Sequence, residues 1–231
     1  PSEPFARMTL RIMEQFGIAV VEDGMRKFII PASQPYAPTH YEVEPDATAA
    51  SYFFAAAAIT GGRTTVEGLG SETSQGDWHF VDVLEKMGCR VDRQLRSTTV
   101  HGPADGRVHG VDVDLNDMPD VAQTLAVLAA FAVGPTRIRN VENLRIKETD
   151  RLTALATELG RLNVETDVTT DSITIRPEEP PVPARIETYG DHRMAMSFAL
   201  AGLRLDGMVI RDPDCVSKTF PDFWEVWATL G

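Results

Sequence analysis

Residues 46–61 read DATAASYFFAAAAITG, and RTTVEGL follows at residues 63–69. An acidic residue opens an Ala-rich run, the run ends at Gly, and a β-type segment comes next. The same order returns at residues 120–134, DVAQTLAVLAAFAVG, and at residues 191–207, DHRMAMSFALAGLRLDG. The three starts lie 74 and 71 residues apart. A period of this length predicts a repeated α/β unit, and catalytic groups at equivalent points of the copies can converge on one cleft.

A second repeated element lies between the copies of the first. An amphipathic helix pattern, followed by Gly or Asn and a strand pattern, occupies residues 5–16, 77–87 and 150–162, and the helix pattern returns at residues 222–230. Gly and Asn both tolerate the left-handed conformation found at helix ends. Paired strand signals fill the remaining intervals, so the unit reads helix, strand, helix, strand, strand. This alternation predicts an α/β fold, with the Ala-rich helices buried between mixed sheets and the amphipathic ones outside.

Composition excludes several classes of protein. The chain has 231 residues, 43% of them hydrophobic and 24% charged, which is ordinary for a soluble globular protein. The net charge of −12 argues against a nucleic-acid binder. No apolar run approaches the about 20 residues needed to span a bilayer, so no membrane association is expected. The two cysteines, Cys89 and Cys215, form no disulfide framework and no metal-ligand spacing, which favours a reduced cytoplasmic setting.

The sequence also suggests two parts of unequal size. It has no initiator Met and enters a helix pattern at once, so we expect it to begin within a longer protein. Residues 31–46, PASQPYAPTHYEVEPD, are rich in Pro and are the best linker candidate. Residues 1–44 are expected to be the tail of a preceding, N-terminal-type domain, because one helix and two strands build no core alone. Residues 45–231 contain three copies of the unit and form the main domain.

The densest functional signal is NLRIKETDRL at residues 143–152, which places Arg145, Lys147 and Arg151 at the start of an amphipathic helix. If the helix begins near Glu148, Lys147 and Arg151 share one face. Free N–H groups at a helix start favour anions, and added cations strengthen such a site. A solvated helix start, with Lys147 and Arg151 offset by Glu148 and Asp150, is the alternative explanation.

A second signal is YGDHRMAM at residues 189–196. Asp191 suits a helix cap, and Arg193 would stand in the first helical turn, where a cation opposes the helix dipole. A bound anion would offset that cost. Pairing of Arg193 with Asp191 or Asp212 is the alternative explanation. His192 is compatible with an acid–base group, a metal ligand or a structural histidine beside a cap.

A third signal is SKTFP at residues 217–221, where Lys218 lies on a loop and either reaches an anion or is simply solvated. Asp120 is expected to be the N-cap of its apolar helix, or a general base if its side chain faces the cleft. Asp112 and Asp114 alternate along a strand and are expected to face solvent rather than hold a metal. None of the common nucleophile, zinc, P-loop or dinucleotide-binding motifs occurs.

Together, NxRxKETDRL, GDHRMAM and KTFP closely resemble the signatures of the 5-enolpyruvylshikimate-3-phosphate synthase family, over the C-terminal half of its members. The UDP-N-acetylglucosamine enolpyruvyl transferases share the fold but lack these motifs in this form and are a distant second. The resemblance implies two domains, each built of three βαβαββ units, with three repeats in the main domain here. It also implies transfer of the enolpyruvyl group of phosphoenolpyruvate to the 5-hydroxyl of shikimate 3-phosphate, releasing phosphate, without a metal or organic cofactor.

The resemblance also implies roles for individual residues. Asp120 is similar to the residue that hydrogen-bonds the shikimate hydroxyls and takes the proton of the attacking one. Asn143 and Lys147 resemble ligands of shikimate 3-phosphate, and Ser2 resembles a ligand of its phosphate. Glu148 is similar to the proton donor to the methylene carbon, which later recovers a proton. We expect that donor to need burial to stay protonated near neutral pH, since cations flank it.

Arg151, Arg193 and Lys218 resemble the cationic clamp on phosphoenolpyruvate, a ligand with both a carboxylate and a phosphate. The sequence departs from the family at Phe5, where many members have a Tyr that contacts substrate. The family's N-terminal motifs are absent, so about half of the active site is expected to come from the missing N-terminal half. Alone, the chain is expected to bind phosphoenolpyruvate weakly and not to turn over.

A non-catalytic α/β anion-binding module is the alternative from another class. Glu148 and Asp120 favour the enzyme, because two acids beside an anion site repel the ligand and have no use in a pure binder.

Overall fold

The computed structural model describes residues 3–24 and 26–230. Helix α1 (Glu3–Gln15) comes first, and strands β1 (Val21–Asp23) and β2 (Lys27–Ile29) pair antiparallel after it. Within the described part of residues 3–44, only Ile18 is buried. Residues 30–46 form neither helix nor strand, in agreement with the Pro-rich composition of this segment.

The rest of the chain alternates helices and strands, as predicted. In chain order these elements are α2 (Ala47–Thr60), β3 (Arg63–Glu67), α3 (Phe80–Lys86), β4 (Arg90–Arg93), β5 (Ser97–His101), β6 (Asp112–Asp114), α4 (Ala122–Ala129), β7 (Thr136–Arg139), α5 (Arg151–Arg161), β8 (Glu165–Val168), β9 (Ile173–Arg176), β10 (Arg185–Ile186), α6 (His192–Gly202), β11 (Val209–Ile210) and α7 (Phe223–Trp227).

Three sheets accompany the three copies of the repeat. The first has the order β3-β5-β4 and is antiparallel, and the second has the order β6-β7-β9-β8 with β6 and β7 parallel. The third consists of the parallel pair β10-β11. The second copy runs β6, α4, β7, α5, β8, β9 and so contains a strand-helix-strand-helix-strand-strand unit in full. The predicted α/β class is confirmed.

The capping signals of the Ala-rich helices hold in two copies and fail in one. The Asp46 carboxylate accepts hydrogen bonds from two main-chain N–H groups of α2, and Gly61 ends that helix with φ 74°. Asp191 caps α6 by accepting from the main-chain N–H of Arg193 at 2.9 Å. The expectation that Asp120 caps α4 was wrong. Asp120 lies in a 3₁₀ turn, Pro119–Val121, makes no cap hydrogen bond, and turns its carboxylate toward cations.

The Ala-rich helices form the centre of the molecule because small side chains allow close approach. Helices α2, α4 and α6 each contact the other two, and each also contacts a strand of its own copy. Three hydroxyls meet there: Ser51 Oγ lies 3.2 Å from Thr124 Oγ1, which lies 3.4 Å from Ser197 Oγ. Successive members are 73 residues apart, so equivalent points of the copies do converge. None of the helices in the described ranges has the length and apolarity that crossing a membrane would take.

A close approach at Gly102 tests this packing. A Cβ at Gly102 would lie 2.0 Å from the carbonyl oxygen of Ala57 in α2, whereas one at Gly160 in α5 meets nothing within 4 Å. We expect Gly102→Ala to lower the free energy of unfolding by about 1–3 kcal/mol through overpacking. The matched change Gly160→Ala should raise it by about 0.5–1 kcal/mol, because Ala favours helix. Urea unfolding of both variants is the measurement, and equal effects would contradict the packing described.

Candidate active site

The charged side chains singled out in the sequence come together where the helices α4, α5 and α6 begin. Asp120 comes from the turn before α4, and Arg193 lies in the first turn of α6. Arg151 is the first residue of α5. Lys218 ends a 3₁₀ turn, Pro213–Lys218. We call the group the charge cluster; its members are Asp120, Lys147, Glu148, Arg151, Asp191, Arg193 and Lys218.

Arg151 lies at the middle of the charge cluster, and its side chain is only 1% exposed. Its guanidinium donates to three carboxylates. Nε lies 2.7 Å from Asp191 Oδ2, Nη1 lies 3.1 Å from Asp120 Oδ1, and Nη2 lies 2.8 Å from Glu148 Oε2. Because Asp191 is fully buried as well, these contacts satisfy charges that would otherwise be very costly away from water.

Asp120 accepts from three cations. Besides Arg151, its carboxylate meets Arg193 Nη2 at 3.2 Å and lies 3.5 Å from Lys147 Nζ. Burial alone would raise the pKa of Asp120, but the charges of Arg193, Lys147 and Arg151 outweigh it and hold that pKa below its ordinary value. Asp120 is therefore an ionised acceptor in this arrangement.

Glu148 is ionised too, so the burial that we expected it to need in order to stay protonated is not sufficient in this arrangement. Burial acts to raise its pKa, but a hydrogen bond from Lys218 and the charge of Arg151 lower it to about 2. Burial is the largest single effect on the pKa of Glu148, but the effects that lower it are larger together. The cations that flank it therefore decide its protonation state.

The alternative explanation for Arg193, an ion pair with Asp191 or Asp212, was wrong. The main-chain N–H of Arg193 donates to the capping carboxylate of Asp191, whereas its guanidinium donates to Asp120 and not to Asp191 or Asp212. Burial lowers the pKa of Arg193, and the nearby Tyr52 and Asp120 more than restore it, so the guanidinium stays charged. The side chain is mostly buried, which orients the charge.

Lys147 reaches the charge cluster by a different route from the one predicted. Asp150 caps α5 by accepting from the main-chain N–H of Thr153, so the helix begins at Arg151 and not near Glu148. Lys147 stands before it in extended backbone, with φ −90° and ψ −152°. The two cations therefore share no helix face, yet both approach the same carboxylate.

Three residues of the neighbouring segments need separate mention. Arg145 points away from the charge cluster and donates to Asp150 Oδ2 at 2.8 Å. Asn143 lies in the 3₁₀ turn before Lys147, and its buried Oδ1 has no hydrogen-bond partner among the described residues. Ser2, the expected phosphate ligand, lies outside the described residues.

His192 is buried beside the charge cluster. Its Nδ1 lies 3.7 Å from Asp191 Oδ1 and 4.0 Å from Glu148 Oε1, and neither ring nitrogen has a hydrogen-bond partner within residues 3–24 and 26–230. Burial and the charge of Arg193 lower its pKa, so the ring is neutral near neutral pH. Over the same residues, the structure groups no three His, Cys, Asp or Glu side chains in a way that could hold a metal.

Sequence reasoning missed two further groups near Arg193. Asp77 is 4% exposed and accepts from the Thr48 hydroxyl, and burial raises its pKa to about 6. Tyr52 is fully buried, which raises its pKa to about 12. A signal for Asp77 was present, because an acidic residue opens each predicted amphipathic helix from residue 77 onward. Tyr52 had a weaker one, as the single Tyr within an Ala-rich run.

The cluster combines four cations with three carboxylates. Fixed guanidinium and ammonium groups can bind carboxylate and phosphate oxygens and stabilise charge that develops during a reaction. Ionised carboxylates within the same cluster can accept protons. The arrangement is therefore suited to acid–base chemistry on an anionic ligand.

Comparison with known proteins agrees with this chemistry. A family model described as EPSP synthase (3-phosphoshikimate 1-carboxyvinyltransferase) matches residues 1–227. The 3-phosphoshikimate 1-carboxyvinyltransferase of Nostoc punctiforme is 50% identical over 220 residues, or 95% of this chain and 51% of that protein. The chloroplastic protein of that name from Brassica napus is 48% identical over 236 residues, or 99% of this chain and 46% of that protein.

A solved structure of EPSP synthase from Acinetobacter baumannii has a TM-score of 0.81 at 26% sequence identity. The match covers 96% of this chain and 53% of that one. The chain thus spans about half the length of the curated relatives it matches. The resemblance seen in the three motifs is confirmed, and the chain belongs to the EPSP synthase (3-phosphoshikimate 1-carboxyvinyltransferase) family.

Proposed function

We propose that this chain supplies one half of the active site of an enzyme that transfers the enolpyruvyl group of phosphoenolpyruvate to the 5-hydroxyl of shikimate 3-phosphate. The observation that carries the proposal is the charge cluster itself. Two ionised acids, Asp120 and Glu148, lie among four cations in a chain of this family. Since each acid repels an anionic ligand, their presence there favours catalysis over binding alone.

Phosphoenolpyruvate would be held by Lys218 and Arg193. Lys218 is 55% exposed, so it can turn from its carboxylate partner to a ligand, whereas the mostly buried Arg193 offers the ligand an oriented charge. Arg151 is assigned to the same ligand by resemblance. Because its side chain is buried and contacts three carboxylates, we propose that its main role is to orient the acids.

Shikimate 3-phosphate would lie on the other side of Asp120. Lys147, 32% exposed and 3.5 Å from that carboxylate, is within reach of the same hydroxyl-bearing ligand. The buried Oδ1 of Asn143 has no hydrogen-bond partner among the described residues and would accept a hydrogen bond from a hydroxyl of shikimate 3-phosphate. Ser2 is proposed as a ligand of the phosphate from its motif alone.

The chemistry divides between the two acids. Asp120 accepts the proton of the 5-hydroxyl while the 5-hydroxyl oxygen forms a bond to C2 of phosphoenolpyruvate. Glu148 gives a proton to the methylene carbon. This produces a tetrahedral intermediate. Its C–O bond to phosphate then breaks, and phosphate leaves with the electron pair and takes up the proton held by Asp120. A methyl proton returns to Glu148 as the enol ether forms.

Glu148 must be protonated for the first step, although its pKa is about 2 in this arrangement. We infer that ligand binding itself raises the pKa of Glu148. When an anionic group draws Lys218 toward it, Glu148 loses the hydrogen bond that does most to lower its pKa. The pKa then rises toward its ordinary value or above, because burial remains and the ligand adds negative charge.

The complementary half of the enzyme is the partner that this proposal requires. Helix α1 has no buried residue, and we propose that residues 1–44 belong to a preceding domain and residues 45–231 to the main one. Cytoplasmic location remains a prediction; a plant relative carries a chloroplastic name.

The first test is phosphate release from phosphoenolpyruvate plus shikimate 3-phosphate. The chain would be assayed alone and then with the half of the Nostoc punctiforme relative that it does not match. We expect release only in the mixture, since the cluster supplies part of the cleft. Release by the chain alone would contradict the shared site. If the two halves are shown to associate and the mixture releases no phosphate, the non-catalytic anion-binding module would be favoured.

Glu148→Gln separates binding from chemistry. In the assembled enzyme we expect turnover to fall by about 100- to 10,000-fold, the usual contribution of a general acid–base group. Affinity for phosphoenolpyruvate should be unchanged or slightly tighter, because Gln keeps the shape and no longer competes for Lys218. Glu142→Gln, an exposed acid in the same segment, is the matched control. A parallel loss of binding and turnover would contradict proton transfer by Glu148.

Lys218→Met tests what sets the protonation of Glu148. Removing the ammonium removes the hydrogen bond that lowers the pKa of Glu148, so that pKa should rise from about 2 toward its ordinary value. Carboxyl ¹³C NMR titration of the folded chain measures it directly. Lys86→Met, on an exposed turn of α3, should leave the pKa unchanged. If Lys218→Met leaves it unchanged too, the ligand-driven rise is refuted.

A further inference from the structure

The turn that leads into α6 contains a residue type that does not suit its backbone. The main-chain N–H of Asp191 donates to the carbonyl oxygen of Thr188 at 2.9 Å and closes a four-residue turn, residues 188–191. The two central residues, Tyr189 and Gly190, have φ 58° and 67°, as in a type I′ turn, which favours Gly, Asn and Asp. In the described part of the chain, the other non-glycine residues with positive φ are Ser, Asn or Asp. A side chain as large as Tyr is strained there, so a compensating contact is expected.

The hydroxyl of Tyr189 makes that contact. It donates to Glu158 Oε1 of α5 at 2.7 Å, and the Glu158 side chain is completely buried. The other oxygen, Oε2, accepts from the main-chain N–H of Glu187 at 3.0 Å and lies 3.2 Å from Arg161 Nε. Among the described residues, Oε1 has Tyr189 as its hydrogen-bond donor and Oε2 has the other two groups. A buried carboxylate of α5 therefore holds the turn through the Tyr189 side chain.

Helix α5 holds the same turn at a second point. Arg151 Nε donates to Asp191 Oδ2 at 2.7 Å, and Arg151 Nη2 donates to Asp191 Oδ1 at 3.3 Å. Arg151 and Glu158 are seven residues apart in α5, which is about two helical turns, so they lie on one face about 10 Å apart. The turn is thus bound to one face of α5 through Tyr189 and through Asp191, which is only two residues further along the chain. Because the turn between them is closed by a hydrogen bond, the position of Tyr189 restricts that of Asp191.

We propose that Tyr189 is a positioning residue for the reaction: its hydroxyl, bound to Glu158, holds the turn so that Asp191 keeps the Arg151 guanidinium in place to orient the acids of the charge cluster. Tyr189 acts without touching a ligand. The catalytic part of this inference rests on the proposed function, because it assumes that the acids oriented by Arg151 transfer protons.

The residue type at position 189 separates this role from turn formation or core packing. Asn would form the same turn with less strain, but its side chain is too short to reach Glu158. Tyr189 is 44% exposed, so its ring adds little to the core. What Tyr contributes at this position is therefore the hydroxyl contact with α5.

The first measurement is hydrogen exchange of the Arg151 Nε–H, followed by NMR in the full chain, because this proton lies in the contact with Asp191. We expect exchange to be about tenfold faster or more in Tyr189→Phe, the effect of losing one hydrogen bond to a charged group. Tyr189→Asn should show the same increase, since it relieves the backbone but cannot reach Glu158. Tyr36→Phe, at a tyrosine that is 62% exposed, is the matched control and should leave the rate unchanged. The main-chain N–H groups of α2 should keep their rates in every variant, which distinguishes local loosening from lower overall stability.

Two results would overturn the inference. If exchange of the Arg151 Nε–H is unchanged in Tyr189→Phe, the hydroxyl does not hold Asp191 against Arg151. If Tyr189→Asn exchanges at the wild-type rate, the backbone of the turn is sufficient and the contact with Glu158 is not needed.

The second measurement is turnover of the assembled enzyme with Tyr189→Phe. We expect kcat to fall by about 10- to 100-fold, because small displacements of catalytic groups are costly. KM for phosphoenolpyruvate should change much less, since Lys218 and Arg193 are proposed to hold that ligand. A raised KM with unchanged kcat would contradict the role of Tyr189 in orienting the acids. Absence of turnover in the assembled wild type would count against the proposed function alone, because the exchange measurement needs no turnover.

Discussion

The buried contact between Arg151 and Asp191 is the interaction on which the site depends. Neither side chain reaches water, so each charge is tolerable only beside the other. Arg151 begins α5 in the second copy of the repeat, and Asp191 caps α6 in the third. Their pairing therefore fixes the starts of two helices against each other. Asp120 and Glu148 then take the remaining donors of the same guanidinium, so the acids are placed by a charge that never needs to leave.

The repeat makes this convergence possible. Helices α2, α4 and α6 approach closely because Ala lines them, and their hydroxyls meet at positions 73 residues apart. Asp120 and Arg193 are separated by the same 73 residues and meet as an ion pair at one end of these helices. One internal relation thus accounts for both the middle of the core and part of the charge cluster.

Much of this could be predicted from the sequence, because local signals act locally. Asp46, Asp191 and Gly61 cap their helices as their residue types and positions indicate. The failures are those where a distant charge overrides the local preference. Asp120 does not cap α4, because cations from α5 and α6 bind its carboxylate. Likewise, the guanidinium of Arg193 binds the distant Asp120 and not the acids that are near it in sequence.

The near balance of charge in the cluster has a consequence for selectivity. Each cation already has a carboxylate partner, so an arriving anion must exchange with one rather than fill an empty site. Chloride or bicarbonate carries one charge and recovers less than it displaces. A ligand with a carboxylate and a phosphate engages several cations at once and can win the exchange. We therefore expect singly charged anions to compete poorly for the charge cluster.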